Sequence, residues 1–164
     1  MPSVCNVFLR PKGLAITAPD SEVQMWATAI STNANSGRKI IFRYAKQLSA
    51  TLDRTSQPIR IIIVWKYQSD SGLPNAKDHQ RMNLLEDTLE SVLNGDRFAT
   101  LALVSTGEDL REWTYYAKCE NEFFDRLNNA FAGMPAFPIE IHTACDPSWA
   151  MYERFKAGVR EVAS

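Results

Sequence analysis

Apolar residues recur along the chain with two different spacings, and the changes between them mark the elements. Ile59 to Tyr67 is the strongest signal, a β-branched and nearly continuous apolar run that predicts a central strand covered on both faces. The polar stretch Gln68-Ser69-Asp70-Ser71-Gly72 ends it. Pro74 and Asn75 then open a helix, with Asn75 as the N-cap and Asp78 favoured by the dipole. Met82, Leu85, Leu89 and Val92 repeat at three- and four-residue steps, and Gly95 is expected to close the helix in a left-handed conformation. Phe98 to Ser105 and Leu110 to Ala117 read as a hairpin around Thr106-Gly107-Glu108-Asp109. Glu120 to Ala132 is a second amphipathic helix with Phe124, Leu127 and Phe131 inward and Gly133 at its end. Phe137, Ile139, Ile141 and Thr143 alternate with polar or exposed positions as a half-exposed strand. Asp146 is expected to cap a last helix, with Pro147 at its first position, Trp149 one turn in, and Tyr152 and Phe155 following.

Upstream, Gln24 to Ile30 and Arg38 to Tyr44 flank an Asn/Ser/Gly cluster and predict another hairpin. Its second arm alternates Ile40, Phe42 and Tyr44 against Lys39, Ile41 and Arg43. Cys5 to Leu9 is a further candidate strand, and Lys46 to Arg54 a short helix.

From Ile59 to Thr143 the predicted order is β-α-β-β-α-β, the split βαβ pattern of an α+β, ferredoxin-like core with both helices on one face of an antiparallel sheet. The expected organisation is one domain over 1–164: N-terminal strands and hairpin (1–57), ferredoxin-like core (58–144) and C-terminal helix (145–164). Ile62 and Val64 would face away from the two core helices, so the hairpin, the C-terminal helix or a second copy of the chain, in a homodimer through the sheet face, must cover them. Leu110 to Ala117 would be a central strand, which sits uneasily with Arg111 and Glu112 at its start.

At 164 residues the chain is of single-domain size and needs no disulfide or metal staple. Its net charge of −1 offers no bulk field for nucleic acid or an anionic membrane, so nucleic acid is an unexpected partner. No apolar run approaches the ~20 residues of a membrane span. Met1 to Gly13 lacks a basic segment followed by an apolar one, so a cytoplasmic protein is expected. The three cysteines, Cys5, Cys119 and Cys145, are scattered, which argues for reduced thiols and against zinc. No metal is expected, since no acidic residue sits at a metal-motif spacing from His79 or His142, and no cofactor is expected; the sequence lacks a phosphate loop and a nucleophile elbow.

Candidate chemistry is sparse. Cys145, just ahead of a predicted helix N-terminus and three residues from His142, is the sharpest thiol candidate. In a strand the two side chains point to opposite faces, and an unreactive thiol is favoured. Glu108, Asp109 and Glu112 cluster at a hairpin tip, where solvating the turn is favoured over acid–base work. The candidate binding residues are Arg111, Trp113 and Tyr115 on one face of their strand, with Trp65 and Tyr67 beside them. Such aromatics stack bases in RNA-recognition domains, but the glycine-and-aromatic signature of that module is missing, and core or interface packing is favoured.

Gly72-Leu73-Pro74 before a helix, Glu86-Asp87 within it, Thr106-Gly107 with Arg111 and Tyr115-Tyr116 in the hairpin, and Asp146-Pro147-Ser148-Trp149 near the end resemble a bacterial family, domain of unknown function 695, over roughly Trp26 to Phe155. Members are sometimes fused to a domain resembling the protein inhibitor of ribonuclease E, so the resemblance implies a regulatory or protein-binding role; it brings no catalytic residues. The expected function is a non-enzymatic regulatory or protein-interaction module. The alternatives are a small-molecule sensor using the cleft beside Arg111, and an enzyme.

Overall fold

β-Branched residues at Ile59, Ile61, Ile62, Ile63 and Val64 favour a pleated, two-sided strand, and they form β4 (Ile59–Lys66), an interior strand one in from an edge of the sheet. The structure, a computed structural model, describes residues 5–8 and 24–161. Around β4 the chain runs β1 (Cys5–Phe8), β2 (Met25–Thr32), β3 (Lys39–Gln47), a 3-10 turn (Arg54–Ser56), β4, α1 (Ala76–Leu93), β5 (Ala99–Gly107), β6 (Leu110–Ala117), α2 (Glu120–Phe131), β7 (Ile139–Cys145), α3 (Ala150–Gly158) and β8 (Arg160–Glu161). The expectations for the start of the chain and for the thiol of Cys5 lie outside the described residues. No helix among the described residues is long and apolar enough to cross a membrane.

The strands form one eight-stranded sheet in the order β7-β4-β6-β5-β3-β2-β1-β8. Every neighbouring pair is antiparallel except β1 with β8. The fold is therefore α+β, as expected, but the strand order is not that of a free-standing four-stranded sheet. β3 pairs with β5 from Ile41↔Thr106 to Tyr44↔Leu103, so the N-terminal hairpin prolongs the sheet sideways instead of lying over it.

α1 and α2 lie on one face. Met82, Leu85, Leu89 and Leu93 of α1 and Phe123 and Leu127 of α2 pack with Ile61, Ile63, Trp65, Trp113 and Tyr115 in one buried cluster. Phe123, not Phe124, is the fully buried ring of α2: it meets Tyr115 at 5.9 Å, while Phe124 is half-buried. Both rings fit a helical stripe with Leu127 and Phe131, and the sheet beneath decides between them. Asn75 caps α1 as expected, its side chain accepting from the Asp78 N–H. Gly95 has no positive φ; the left-handed residue after α1 is Arg97, at φ 56°. Residues 46–54 form no helix, since β3 continues to Gln47 and only the short turn at Arg54–Ser56 follows.

α3 covers the opposite face. Trp149 and Tyr152 pack on Ala45, Ala102 and Tyr116. Met151, Phe155 and Val159 pack beside Ala27, Ala29, Tyr44 and Leu103. A bulge lets β5 serve both layers: Leu101 opposes Tyr115 and Leu103 opposes Thr114, so Ala102 is an extra residue and the facing parity reverses there. The start of α3 departs from expectation. Trp149 is the residue before the helix, left-handed at φ 56° and ψ 41°, not a residue one turn inside it. Asp146-Pro147-Ser148-Trp149 is a turn closed by the Trp149 N–H donating to the Asp146 carbonyl at 3.0 Å. A left-handed tryptophan costs on the order of 1–3 kcal/mol. Full burial, a near-parallel stack on Tyr116 at 4.1 Å, and an indole N–H donated to the Gln57 carbonyl at 3.0 Å offset that cost.

Asp146 still caps α3, from three residues further out. Its carboxylate accepts from the Ala150 and Met151 N–H groups at 2.8 and 3.2 Å and from the buried Tyr116 hydroxyl at 2.8 Å. Burial would raise this carboxyl's pKa, but the two N–H groups, the Tyr116 hydroxyl and Arg60 together hold it below the usual range.

Phe123→Ala should cost about 3–5 kcal/mol in chemical denaturation, and Phe124→Ala clearly less. Asp146→Ala removes a cap and leaves a buried phenol without its acceptor, so it should cost about 2–4 kcal/mol near neutral pH. Because the folded-state pKa of Asp146 is depressed, the carboxylate's contribution is fully present above the unfolded value, about 4, and is lost as pH falls through the folded one. The stability gap between wild type and Asp146→Ala, followed by denaturation at a series of pH values, should therefore narrow only on the acid side of about pH 4.

Candidate functional site

Because β3 and β2 prolong the sheet beyond β5, their helix-side residues flank α1. Alternation along β3 sends Ile41 and Arg43 to this side and Phe42 and Tyr44 to α3. Two openings result. One, of about 380 Å³, is floored by Thr28, Ile41, Val104 and Thr106 and walled by Leu73, Pro74 and His79, with Arg43 and Arg111 also lining it. The other, of about 190 Å³, lies towards the C-terminal end of α1, between Trp26, Leu101 and Tyr115 on the sheet and Glu86, Glu90 and Leu93 on the helix. Arg43 lines both.

Glu86 organises this region. It projects from the inward stripe of α1 and accepts from the Trp113 indole N–H at 2.9 Å and from Arg111 Nη2 at 3.4 Å. It also pairs with Arg43, whose guanidinium lies 5.4 Å from the Trp26 ring centre. Burial would raise its pKa, but Arg43, the Trp113 indole and Arg111 outweigh that and hold the carboxyl low, so it is ionised at neutral pH.

Arg111 is the unusual member. Its side chain is only 9% exposed, and burial lowers its pKa from the ordinary arginine value. Besides Glu86 it lies over the Trp113 ring, 5.1 Å from its centre, and makes a weak contact from Nη1 to Met82 Sδ at 3.9 Å, while its buried Nε has no hydrogen-bond partner. A guanidinium carries five N–H donors, so most of this one's capacity is unused. The awkward charge at the start of β6 is thus answered in part by α1, and Arg111 also lines the larger cleft.

The cleft's end is braced by the β5–β6 turn. Glu108 and Asp109 both have positive φ, 54° and 62°, the two-residue turn that suits a hairpin's twist. Asp109 accepts from the Ser69 N–H and from Arg38, while its own N–H donates to the Gly72 carbonyl at 3.1 Å. Tyr67 donates its hydroxyl to the same carbonyl at 2.7 Å, and burial pushes its pKa up to about 12. Gly72, at φ +80°, holds a left-handed conformation that favours glycine, and a Cβ there would lie 2.6 Å from the Arg38 guanidinium, which would have to shift. This network fixes the Leu73-Pro74 wall.

The profile of a family of unknown function, DUF695, matches residues 24–156. The chain belongs to this family. No curated protein and no solved structure matches it.

The residues singled out in the sequence share the helix side of the sheet but differ in access. Trp65 and Trp113 are fully buried beneath the helices, and Tyr67 is tied into the loop network. Arg111 lines the larger cleft and Tyr115 the smaller. Cys119 and Cys145 are exposed and unbridged, and His142 lies on the surface 3.6 Å from Glu140. Glu108 and Asp109 hold Arg38, which accounts for them as turn residues. Sequence reasoning missed Glu86, Arg43 and Ile41 as site residues. Glu86 left a signal: it falls four residues after Met82 and three before Leu89, a carboxylate in an apolar stripe.

Glu86→Ala should destabilise the fold by about 3–5 kcal/mol, because it strands a buried guanidinium. Combining Glu86→Leu with Arg111→Met should recover part of that loss in denaturant titrations, because the buried charge pair is gone while the Trp113 indole N–H and Arg43 still lack their acceptor.

Proposed function

We propose that this domain is a non-enzymatic regulatory module that reads a small molecule in the cleft between α1 and the prolonged sheet. One observation carries the reading: a cleft of about 380 Å³ is lined by aliphatic side chains, two threonines, His79, Arg43 and a buried Arg111 with an unmet donor. Ligand sites are typically apolar concavities with a few convergent polar groups, and this volume lies at the small end of their range. The lining suits binding more than turnover, since His79 at the exposed rim is its one acid–base side chain. We also read β4 to β7, with α1 and α2, as a ferredoxin-like unit. Its order β7-β4-β6-β5, extended at β5, is what creates the cleft. Exposed, unbridged Cys119 and Cys145 accord with a reducing, cytoplasmic setting. A second reading, docking of a partner protein, is favoured by Met25 and Trp26, which are 53% and 36% exposed at the start of β2.

Ile41→Trp fills the cleft from the sheet side without touching either arginine's partners. In a ligand-observed NMR screen of a small-molecule library, hits on the wild type should vanish with Ile41→Trp. A library without hits, or hits that persist in the variant, overturns the small-molecule reading.

A further inference from the structure

We propose that the molecule taken by the larger cleft is a small monocarboxylate with an apolar body, its carboxylate held by Arg111. This rests on the reading of the cleft as a small-molecule site and adds the ligand's chemistry.

The anchor is the Arg111 guanidinium. More than nine-tenths of the side chain is buried; the Trp113 ring lies 5.1 Å from the guanidinium, yet Nε has no hydrogen-bond partner and the hydrogen bond of Nη1 is only to a thioether. Unmet buried donors are costly, and a charged acceptor relieves that cost better than a neutral one. A planar guanidinium presents parallel N–H pairs that match the two oxygens of a carboxylate.

Charge balance limits the ligand to one negative charge. Arg43 and Arg111 share the single carboxylate of Glu86, which leaves one uncompensated positive charge. A monoanion completes the set, whereas a dianionic phosphate would bring excess negative charge close to buried Glu86. The other walls define the body. Ile41, Val104, Leu73 and Pro74 are aliphatic, and about 380 Å³ accommodates a short chain or small ring but not a folded peptide segment. Thr28 and Thr106 add hydroxyls on the floor.

The test is calorimetric titration of the full chain with hexanoate, 1-hexanol, hexylammonium and inorganic phosphate. Hexanoate should bind saturably, hexanol at least about tenfold more weakly, and hexylammonium and phosphate not measurably. Arg111→Met keeps the aliphatic stem and should weaken hexanoate about ten- to a hundredfold. Ile41→Trp should abolish binding with the arginines intact. Should Arg111→Met fail to fold, the preference for hexanoate over hexanol and its loss in Ile41→Trp decide the matter. Hexanol binding as tightly as hexanoate, with both lost in Ile41→Trp, overturns the carboxylate assignment and leaves the cleft reading standing. Tighter binding of phosphate, no binding of hexanoate, or hexanoate binding undiminished in Ile41→Trp also overturns the assignment; the library screen then judges the cleft separately.

Discussion

Glu86 occupies a position on α1 where apolar neighbours would exclude a lone charge, because an isolated carboxylate moved into such surroundings would take up a proton or unfold the helix from the sheet. It stays ionised because three donors converge on it from two strands: Arg111 and Trp113 of β6 and Arg43 of β3. That convergence couples the parts of the molecule. β6 belongs to the central sheet under the helices, β3 to the prolongation, and α1 is the element both must face. One carboxylate thus sets how far α1 lies from β3, and so the width of the cleft between them.

The rest of the architecture follows from an eight-stranded sheet that is wider than its helix layer. On one side α1 and α2 bury the aromatic rows of β4 and β6 but leave the outward residues of β2 and β3 beside them. On the other side α3 lies across β6, β5, β3 and β2, and its entry is secured by the Trp149–Tyr116 stack and the Asp146 carboxylate. The two layers are therefore offset. Where α3 covers β2 and β3, their opposite face carries Ile41, Arg43, Thr28 and Trp26, a mixture of aliphatic, cationic and hydroxyl groups unlike the continuous apolar rows of β4.

A recess built this way has rigid walls. Its floor is hydrogen-bonded sheet, one wall is a capped helix, and one end is the loop that Asp109, Gly72 and Tyr67 tie together. On the proposed reading, such rigidity keeps the arginine oriented without a ligand and lowers the ordering cost of association. The unfavourable feature, a buried guanidinium short of acceptors, falls in this recess, and local energetic compromises of this kind are expected where function outweighs stability.

Much of the fold was legible in the sequence because the signals involved are local. The β-branched run of β4, the Asn75 cap, the stripe of α1 and the limits of β6 each depend on neighbours a few residues away, and each emerged where the pattern placed it. What failed depended on distant partners. Phe123 or Phe124 could fill the inward position of α2 until Tyr115 lay beneath it. Trp149 could begin a helical turn until Tyr116 offered a stacking surface that repaid a left-handed backbone. Arg111 was singled out as a binding candidate, but Arg43 and Ile41 come from an element remote in sequence, and only the β3–β5 pairing brings them to the cleft that Arg111 lines. Local pattern placed most of the strands and helices, the stretch over 46–54 excepted, and marked which residues are apolar enough to be buried. The tertiary structure alone decided that the sheet outgrows its helices, because strand pairing is satisfied by backbone groups common to every residue and leaves no mark on side-chain pattern.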